Sequence, residues 1–288
     1  MTEEKLLDGK SLADKLNMEL KENIKLAYNK TGKRPKLAAL LVGENPASKV
    51  YVNIKRKTCE QIGIDFTLIS LNEKITREQL IAEIENIIKD EAFNEIILQI
   101  PLPKHLQRYS IDFVGHISPI KDVDGLHPYN QGKLFNYDEE FAPATPKGII
   151  ALLEHYKVDF QGKEVIIINR SNLVGKPLIF MFLKRNSTVT VCHTSTKNIK
   201  NHIKRADILV VAVGRPNFIK KEMIKNGVII VDVGTNRVDG KLCGDVNFEG
   251  VLEKCSKITP SPGGVGPLTV SFLCHNTFHV FKKQEKFE

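Results

Sequence analysis

Ser48, Tyr51 and Lys55 are spaced three and four residues apart in the stretch ASKVYVNIKRKTCEQIGI, so a helix there puts a hydroxyl, a phenol ring and an amine on one face. On spacing alone Lys55 is a candidate catalytic lysine. The stretch also predicts an apolar stripe of Tyr51, Ile54, Thr58 and Ile62 with Lys55 beside it, and a lysine there can simply run its stem along the stripe. Lys49, Arg56 and Lys57 read as solvated. Gln99 interrupts the apolar run EIILQI, where an unpaired amide would cost about 1–3 kcal/mol. Either nearby backbone satisfies it or it faces a ligand at the carboxyl end of its strand. In KDVDGLHPYN, Asp122 and Asp124 flank Val123 ahead of Gly125, which alone reads as an ordinary Asp-Gly turn.

Two glycine-containing loops add phosphate and ligand chemistry. PSPGGVGP has three glycines and three prolines in eight residues, a stiff loop over which a ligand can approach the backbone. VIIINRSNLVGKP, Val165 to Pro177, reads as strand, turn and helix start, where a dinucleotide fold grips a pyrophosphate. The usual G-x-G-x-x-G is absent. Asn169 is expected to take the positive φ that glycine normally supplies, and the following helix to offer free N–H groups. Arg170 at the tip either meets the extra phosphate of NADP or is a solvated loop residue.

Other chemistries are missing. There is no Ser/His/Asp grouping, no His/Cys ligand set and no Walker loop, which leaves room for hydride transfer carried by a cofactor. The five cysteines, at 59, 192, 243, 255 and 274, contain no C-x-x-C and predict reduced thiols and no metal, with Cys192 in the core. A formal charge of +8 favours anionic partners or reflects a lysine-rich solvated surface. Sparse aromatics and the lack of Trp argue against a single-strand nucleic-acid platform. No apolar run approaches membrane-spanning length, and MTEEKLLDGK has no secretory signal, so a cytoplasmic protein is expected.

These residues need a frame. Strand-like runs alternate with helical patterns: SLADKLNMELKENIKLAYNK as a helix capped by Ser11 and stopped by Gly32, LAALLVG as a buried strand, a helix from Ser48 to Ile62 stopped by Gly63, DFTLISL, the periodic ITREQLIAEIENIIKD, and EIILQI. After Pro146 come a helix and the strands EVIIIN, TVTVC, DILVVAV and VIIVDVG, then a last helix, VSFLCHNTFHVFKK. Such alternation predicts α/β architecture with parallel sheets. Residues 121–148 lack periodicity and mark a boundary near Pro146, which makes two domains, 1–145 and 146–268.

Taken together, YVNIK at 51–55, LQIPLP at 98–103, KDVDGLHPYNQGKL at 121–134, NRSNLVGKP at 169–177 and TPSPGGVGPLT at 259–269 resemble the methylenetetrahydrofolate dehydrogenase/methenyltetrahydrofolate cyclohydrolase family, in its order and spacing. The resemblance runs from about Leu6 to the last helix. It implies an N-terminal α/β folate domain, a C-terminal Rossmann-like domain, and a final helix, 269–288, packing back on the first. It further implies Lys55 as catalytic lysine, Gln99 as its partner, Tyr51 as the folate-stacking ring and Asp124 as holder of the pterin edge. Ser48, Pro262 and Gly263 join the substrate set. Asn169, Arg170, Ser171, Thr194 and Thr235 match cofactor positions, with NADP as cofactor. A cytoplasmic homodimer acting on tetrahydrofolate derivatives, with neither nucleic acid nor membrane as partner, follows from the same likeness. The chain departs from the family pattern at Asn169 (usually Gly), Thr194, Thr235, Ala144 and Ser261. Two other readings share these elements: a two-domain NADP enzyme reducing small acids without folate, and a binding protein on this scaffold that has lost turnover.

Overall fold

A computed structural model of the chain describes residues 3–90 and 93–287. In chain order the elements are α1 (Gly9–Thr31), β1 (Lys36–Val42), α2 (Pro46–Ile62), β2 (Asp65–Leu71), α3 (Arg77–Lys89), β3 (Glu95–Leu98), α4 (Ser110–Gly115), α5 (Pro128–Phe135), α6 (Ala144–His155), β4 (Glu164–Ile168), α7 (Gly175–Lys184), β5 (Thr188–Cys192), α8 (Ile199–Ile203), β6 (Ile208–Val211), β7 (Ile229–Asp232), β8 (Asn236–Val238), β9 (Lys241–Cys243), α9 (Phe248–Val251), β10 (Lys257–Ile258) and α10 (Val265–Gln284). They form two compact units. The first is Lys15–Ala144 with the chain from Val270 on; the second is the chain up to Asp14 with Thr145–Thr269.

The first unit is built on a parallel sheet ordered β2-β1-β3. Alternate side chains of β1 and β3 face opposite ways. Ala38, Leu40, Val42, Ile96 and Leu98 pack with Leu80, Ile84 and Ile87 of α3. Leu37 and Ile97 pack with Leu20 and Ile24 of α1, Cys59 and Ile62 of α2, and Leu273, Cys274, Phe278 and Phe281 of α10. Each such leucine or phenylalanine contributes about 1.5–3 kcal/mol by leaving water. Glu95 and Gln99 share the face of Ile97, two residues away on either side, so Gln99 is aimed at the helices rather than at solvent.

The second unit carries a five-stranded parallel sheet ordered β10-β7-β6-β4-β5. The chain leaves β4 for β5 on one side, then crosses to β6 on the other. The order therefore reverses between β4 and β6, and the carboxyl ends of these two strands flank the crevice where open α/β sheets bind ligands.

Four expectations are corrected. Residues 6–14 pack with the second unit, not within a domain of 1–145: Leu6 bridges Ile258, Leu7 N–H donates to Ile258 O at 2.9 Å, and Lys10 N–H donates to Gly263 O at 2.8 Å. The cap of α1 is Asp8, whose carboxylate accepts from Ser11 N–H at 3.0 Å and Ser11 Oγ at 2.6 Å; Ser11 lies inside the helix. The last helix starts at Val265, five residues before the apolar periodicity becomes visible. The aperiodic stretch 121–148 contains a helix, α5, entered through Pro128, which has the φ a first helical residue needs.

Candidate active site

In the first unit the site starts from α2. Asn45 caps it, accepting from Ser48 N–H at 3.1 Å, Pro46 opens it, and Gly63 closes it with φ 93°. Its buried residues are Ser48, Val52, Cys59 and Ile62. This replaces the stripe expected from the sequence, since Tyr51 and Ile54 are 42% and 45% exposed. The true spacing, 48, 52, 59, 62, is a run of fours and threes with one position missing, which 55 or 56 would fill; Arg56 is exposed and Lys55 half-buried, so Lys55 is the one that lies on this face. Its Nζ donates to Gln99 Oε1 at 3.2 Å, and Gln99 Nε2 donates to Ile100 O at 2.7 Å. Gln99 continues the ladder past β3, its N–H donating to Leu40 O at 2.9 Å, and is only 8% exposed. Backbone satisfaction and a functional partner thus both apply to Gln99, one at each end of its amide. The Ser48 hydroxyl is buried with no hydrogen-bond partner among the described residues.

The two aspartates of the KDVDG turn divide their roles. Asp122, 2% exposed, accepts from His127 N–H at 2.7 Å and Asn130 Nδ2 at 3.0 Å, and burial pushes its carboxyl up from the usual range. Asn130 also donates to Pro119 O, closing the loop. Gly125 has φ 66°, and a Cβ there would lie 2.3 Å from Phe141 O. Asp124 is half-buried and its carboxylate has no hydrogen-bond partner among the described residues. Asp122 and Asn130 escaped the sequence reading as a clamp; the signal was an Asp six residues ahead of a helix start.

In the second unit the VIIINRSNLVGKP turn is built differently from the expectation. Asn169 is not among the described residues with positive φ. Its Oδ1 accepts from Ser171 N–H (2.8 Å), Ser171 Oγ (2.7 Å) and Gly175 N–H (3.0 Å), and its Nδ2 donates to Ala212 O at 2.6 Å. One side chain shapes the turn and ties the end of β4 to the end of β6. Gly175 is required because a Cβ there would lie 2.2 Å from Asn169 O. The first turn of α7 does not offer free amides either. Gly175 N–H goes to Asn169, Lys176 N–H to Ser171 O at 3.0 Å, residue 177 is proline, and Leu178 N–H goes to Val174 O at 3.2 Å. The amides without an acceptor among the described residues are those of Arg170, Asn172 and Leu173, in the turn itself. The Arg170 guanidinium is exposed and likewise unpartnered. Three open N–H groups and a free guanidinium on one turn fit a phosphate-bearing ligand.

Thr194 follows β5 and Thr235 follows β7; both are exposed at carboxyl ends of the sheet. The glycines of PSPGGVGP are partly explained by packing: a Cβ on Gly264 would lie 2.5 Å from Pro260 O, and one on Gly9 would lie 1.9 Å from Gly264 O. Gly263 has φ 106°, and Pro262 is exposed. Cys192 is fully buried, as its strand position implied, and no group of metal-ligating side chains occurs among the described residues.

A lysine anchored by a strand-end amide in one parallel α/β unit, and a phosphate-ready turn at the switch point of another, define a two-domain enzyme that works with a dinucleotide. Comparison with known proteins gives the particular kind. The catalytic-domain profile of tetrahydrofolate dehydrogenase/cyclohydrolase matches residues 7–124, and the NAD(P)-binding-domain profile matches residues 143–285. The chain belongs to this family. The bifunctional protein FolD of a Sulfurihydrogenibium species is 47% identical over 281 residues, 97% of this chain and 98% of that one. The crystal structure of the bifunctional FolD dehydrogenase/cyclohydrolase from Campylobacter jejuni superposes with TM-score 0.93 at 44% identity, covering 97% and 99% of the two chains. That of the Trypanosoma brucei enzyme, complexed with NADP and an inhibitor, gives TM-score 0.92 at 34% identity, covering 97% of each chain. The chain is thus an enzyme of folate one-carbon chemistry with dehydrogenase and cyclohydrolase activities, and the readings as a folate-free small-acid dehydrogenase or as an inert binding protein fall away.

Proposed function

We propose that the chain oxidises 5,10-methylenetetrahydrofolate to the 5,10-methenyl cation with NADP, and then adds water to give 10-formyltetrahydrofolate and a proton, with the residues assembled above as its machinery. The bound cofactor supplies the acceptor for the two electrons and hydrogen leaving the methylene carbon. Asp124 accepts paired N–H groups of the pterin edge and so fixes which carbon faces Lys55. Tyr51, exposed on α2 one turn before Lys55, stacks on the aminobenzoyl ring, with Ser48 beside it in the substrate set. Holding the carbon in register contributes several kcal/mol to the oxidation without a protein base. Water addition does need a base, and the Lys55 amine takes the proton while Gln99 holds the amine in place. Arg170, Ser171, Thr194 and Thr235 bind the cofactor, and Arg170 on the extra phosphate gives NADP its preference over NAD; Asn169 shapes the turn.

The observation that carries this reading is the Lys55–Gln99 bond, a lysine amine fixed by a strand-end amide on the packed face of α2. The enzyme works as a homodimer in the cytoplasm: five unpaired thiols suit a reducing compartment, and the family likeness supports the dimer. No described helix is long and apolar enough to cross a membrane. The experiment is to mix purified protein with methylenetetrahydrofolate and NADP and follow the methenyl chromophore. Its appearance and decay to the formyl product is the expected result; an unchanged substrate spectrum would overturn the assignment.

A further inference from the structure

Two buried carboxylates hold the loops that follow β6 and β7. Asp245, fully buried, accepts from three consecutive backbone N–H groups, Val213 (2.6 Å), Gly214 (3.0 Å) and Arg215 (2.8 Å), and from Asn236 Nδ2 (2.8 Å). Asp232, 5% exposed, accepts from Gly234 N–H (2.9 Å), Asp245 N–H (3.0 Å) and Val246 N–H (2.9 Å). Two glycines make room for them. A Cβ on Gly234 would lie 2.4 Å from Asp245 Oδ1, and one on Gly244 would lie 1.9 Å from Asp232 Oδ2. Seven donors therefore converge on two side chains at the carboxyl end of the sheet, on the side of the switch point away from β5. Burial foremost, opposed by its three backbone donors, pushes the Asp232 carboxyl up to about 6.

A dinucleotide in a sheet of this order lies across the switch point. The group that recognises the adenosine ribose follows the strand next to β4, which is β5, so the other half of the cofactor extends over β6 and β7. Consecutive backbone amides of the kind at 213–215 form a concave anion site. Here the chain's own carboxylate fills it, which leaves the turn at 170–173 as the place for the pyrophosphate. All donors around Asp245 are used within the protein and the residue is buried, so it acts through the loops and not on the cofactor.

We propose that Asp245 is a positioning residue of the dehydrogenase, fixing loops 213–215 and 234–236 against the nicotinamide half of NADP. This rests on the cofactor reading given above. The test measures both activities of the full chain in Asp245→Ala, Asp245→Asn and Asn236→Ala, with thermal unfolding alongside. The ratio of dehydrogenase to cyclohydrolase kcat/KM is expected to fall at least 10-fold in Asp245→Ala, mostly through KM for NADP. Asp245→Asn keeps one acceptor oxygen and should recover part of that loss. Asn236→Ala removes one donor of four and should lower the ratio by 2- to 5-fold, which settles the matter should Asp245→Ala not fold. A ratio that stays constant in folded variants, both activities falling together, would overturn the proposal and make the pair a folding element only. Arg170→Ala, run in parallel, reads the cofactor site itself. If it abolishes the NADP preference while the Asp245 ratio is unmoved, only this inference fails; if it leaves the preference intact, the site reading fails with it.

Discussion

Asn169 concentrates four hydrogen bonds in one short side chain, and glycine at the same place would provide none of them. Replacing it by Gly should therefore raise KM for NADP by about 10-fold or more, since leaving Gly175 N–H and Ala212 O unpaired costs about 1–3 kcal/mol each where buried. Steady-state kinetics on the folded variant check this; an unchanged KM would mean that the turn holds its shape through its backbone alone. Arg170→Ala should weaken NADP by about 1.5–3 kcal/mol and leave NAD nearly unaffected, the loss expected for one charge-assisted contact, and the two dissociation constants decide it. Lys55→Met keeps the apolar stem in the α2 stripe, so folding should survive. Hydrolysis of methenyltetrahydrofolate should drop by at least about 10²-fold and hydride transfer by less. The sequence made Gln99 visible because it is a polar residue out of place in its run, Lys55 because it shares a helix face with Ser48 and Tyr51, and Asp124 through the family resemblance. It misplaced Lys55 beside the stripe because Tyr51 and Ile54 look apolar by type and are exposed in fact. It misread Asn169 because residue type signals a backbone angle, whereas the actual role depends on Ala212, forty-three residues later.

Glycine stops and periodic helices were the easiest elements to see, Gly32 and Gly63 ending α1 and α2 with positive φ as read. Elements held by distant partners were not, and α5 with α10 shows why. Glu140, in the loop after α5, accepts from His279 Nε2 at 2.8 Å and from Lys283 on α10, and from Lys133 of α5 at 3.1 Å. Short helices of this kind depend on such partners more than on their own pattern. Partial burial alone would raise the Glu140 carboxyl, but Lys283, His279 and Lys133 outweigh it and hold it down at about 2, against 4.5 for a free glutamate. A depressed carboxylate stabilises the fold above the unfolded value and ceases to do so as pH falls from about 4.5 through about 2. With a quarter of the side chain exposed, solvent screening reduces the effect, and Glu140→Gln should cost about 1–2 kcal/mol at pH 7. Urea unfolding at pH 7 and pH 3 tests this: the gap between wild type and variant should shrink at the lower pH, and a constant gap would assign the loss to packing.

At the scale of the molecule, the alternation of strands and helices was enough to give two parallel α/β units, because most of their sheet strands are short apolar runs and the long helices α1 and α3 are periodic. The membership of residues 6–14 was not legible, since a bridge at Leu6 and one backbone bond at Leu7 leave no mark on composition. The cysteines give a whole-chain prediction: Cys59, Cys192, Cys255 and Cys274 are buried and Cys243 is only half-buried. An aqueous thiol reagent should titrate one group rapidly in the native protein and the other four after denaturation; several fast thiols would show that the core breathes. The interleaving of the chain has a consequence for its birth. Synthesis runs from the amino side, yet Leu273, Cys274, Phe278 and Phe281, which help to cover one face of the β1–β3 sheet, emerge long after it. The segment around Leu7, made before the second unit's sheet, must wait for its partner Ile258. A growing chain therefore leaves the ribosome with part of an oily sheet face open until α10 is translated, which makes it a natural client for chaperones and makes products truncated before that helix prone to degradation.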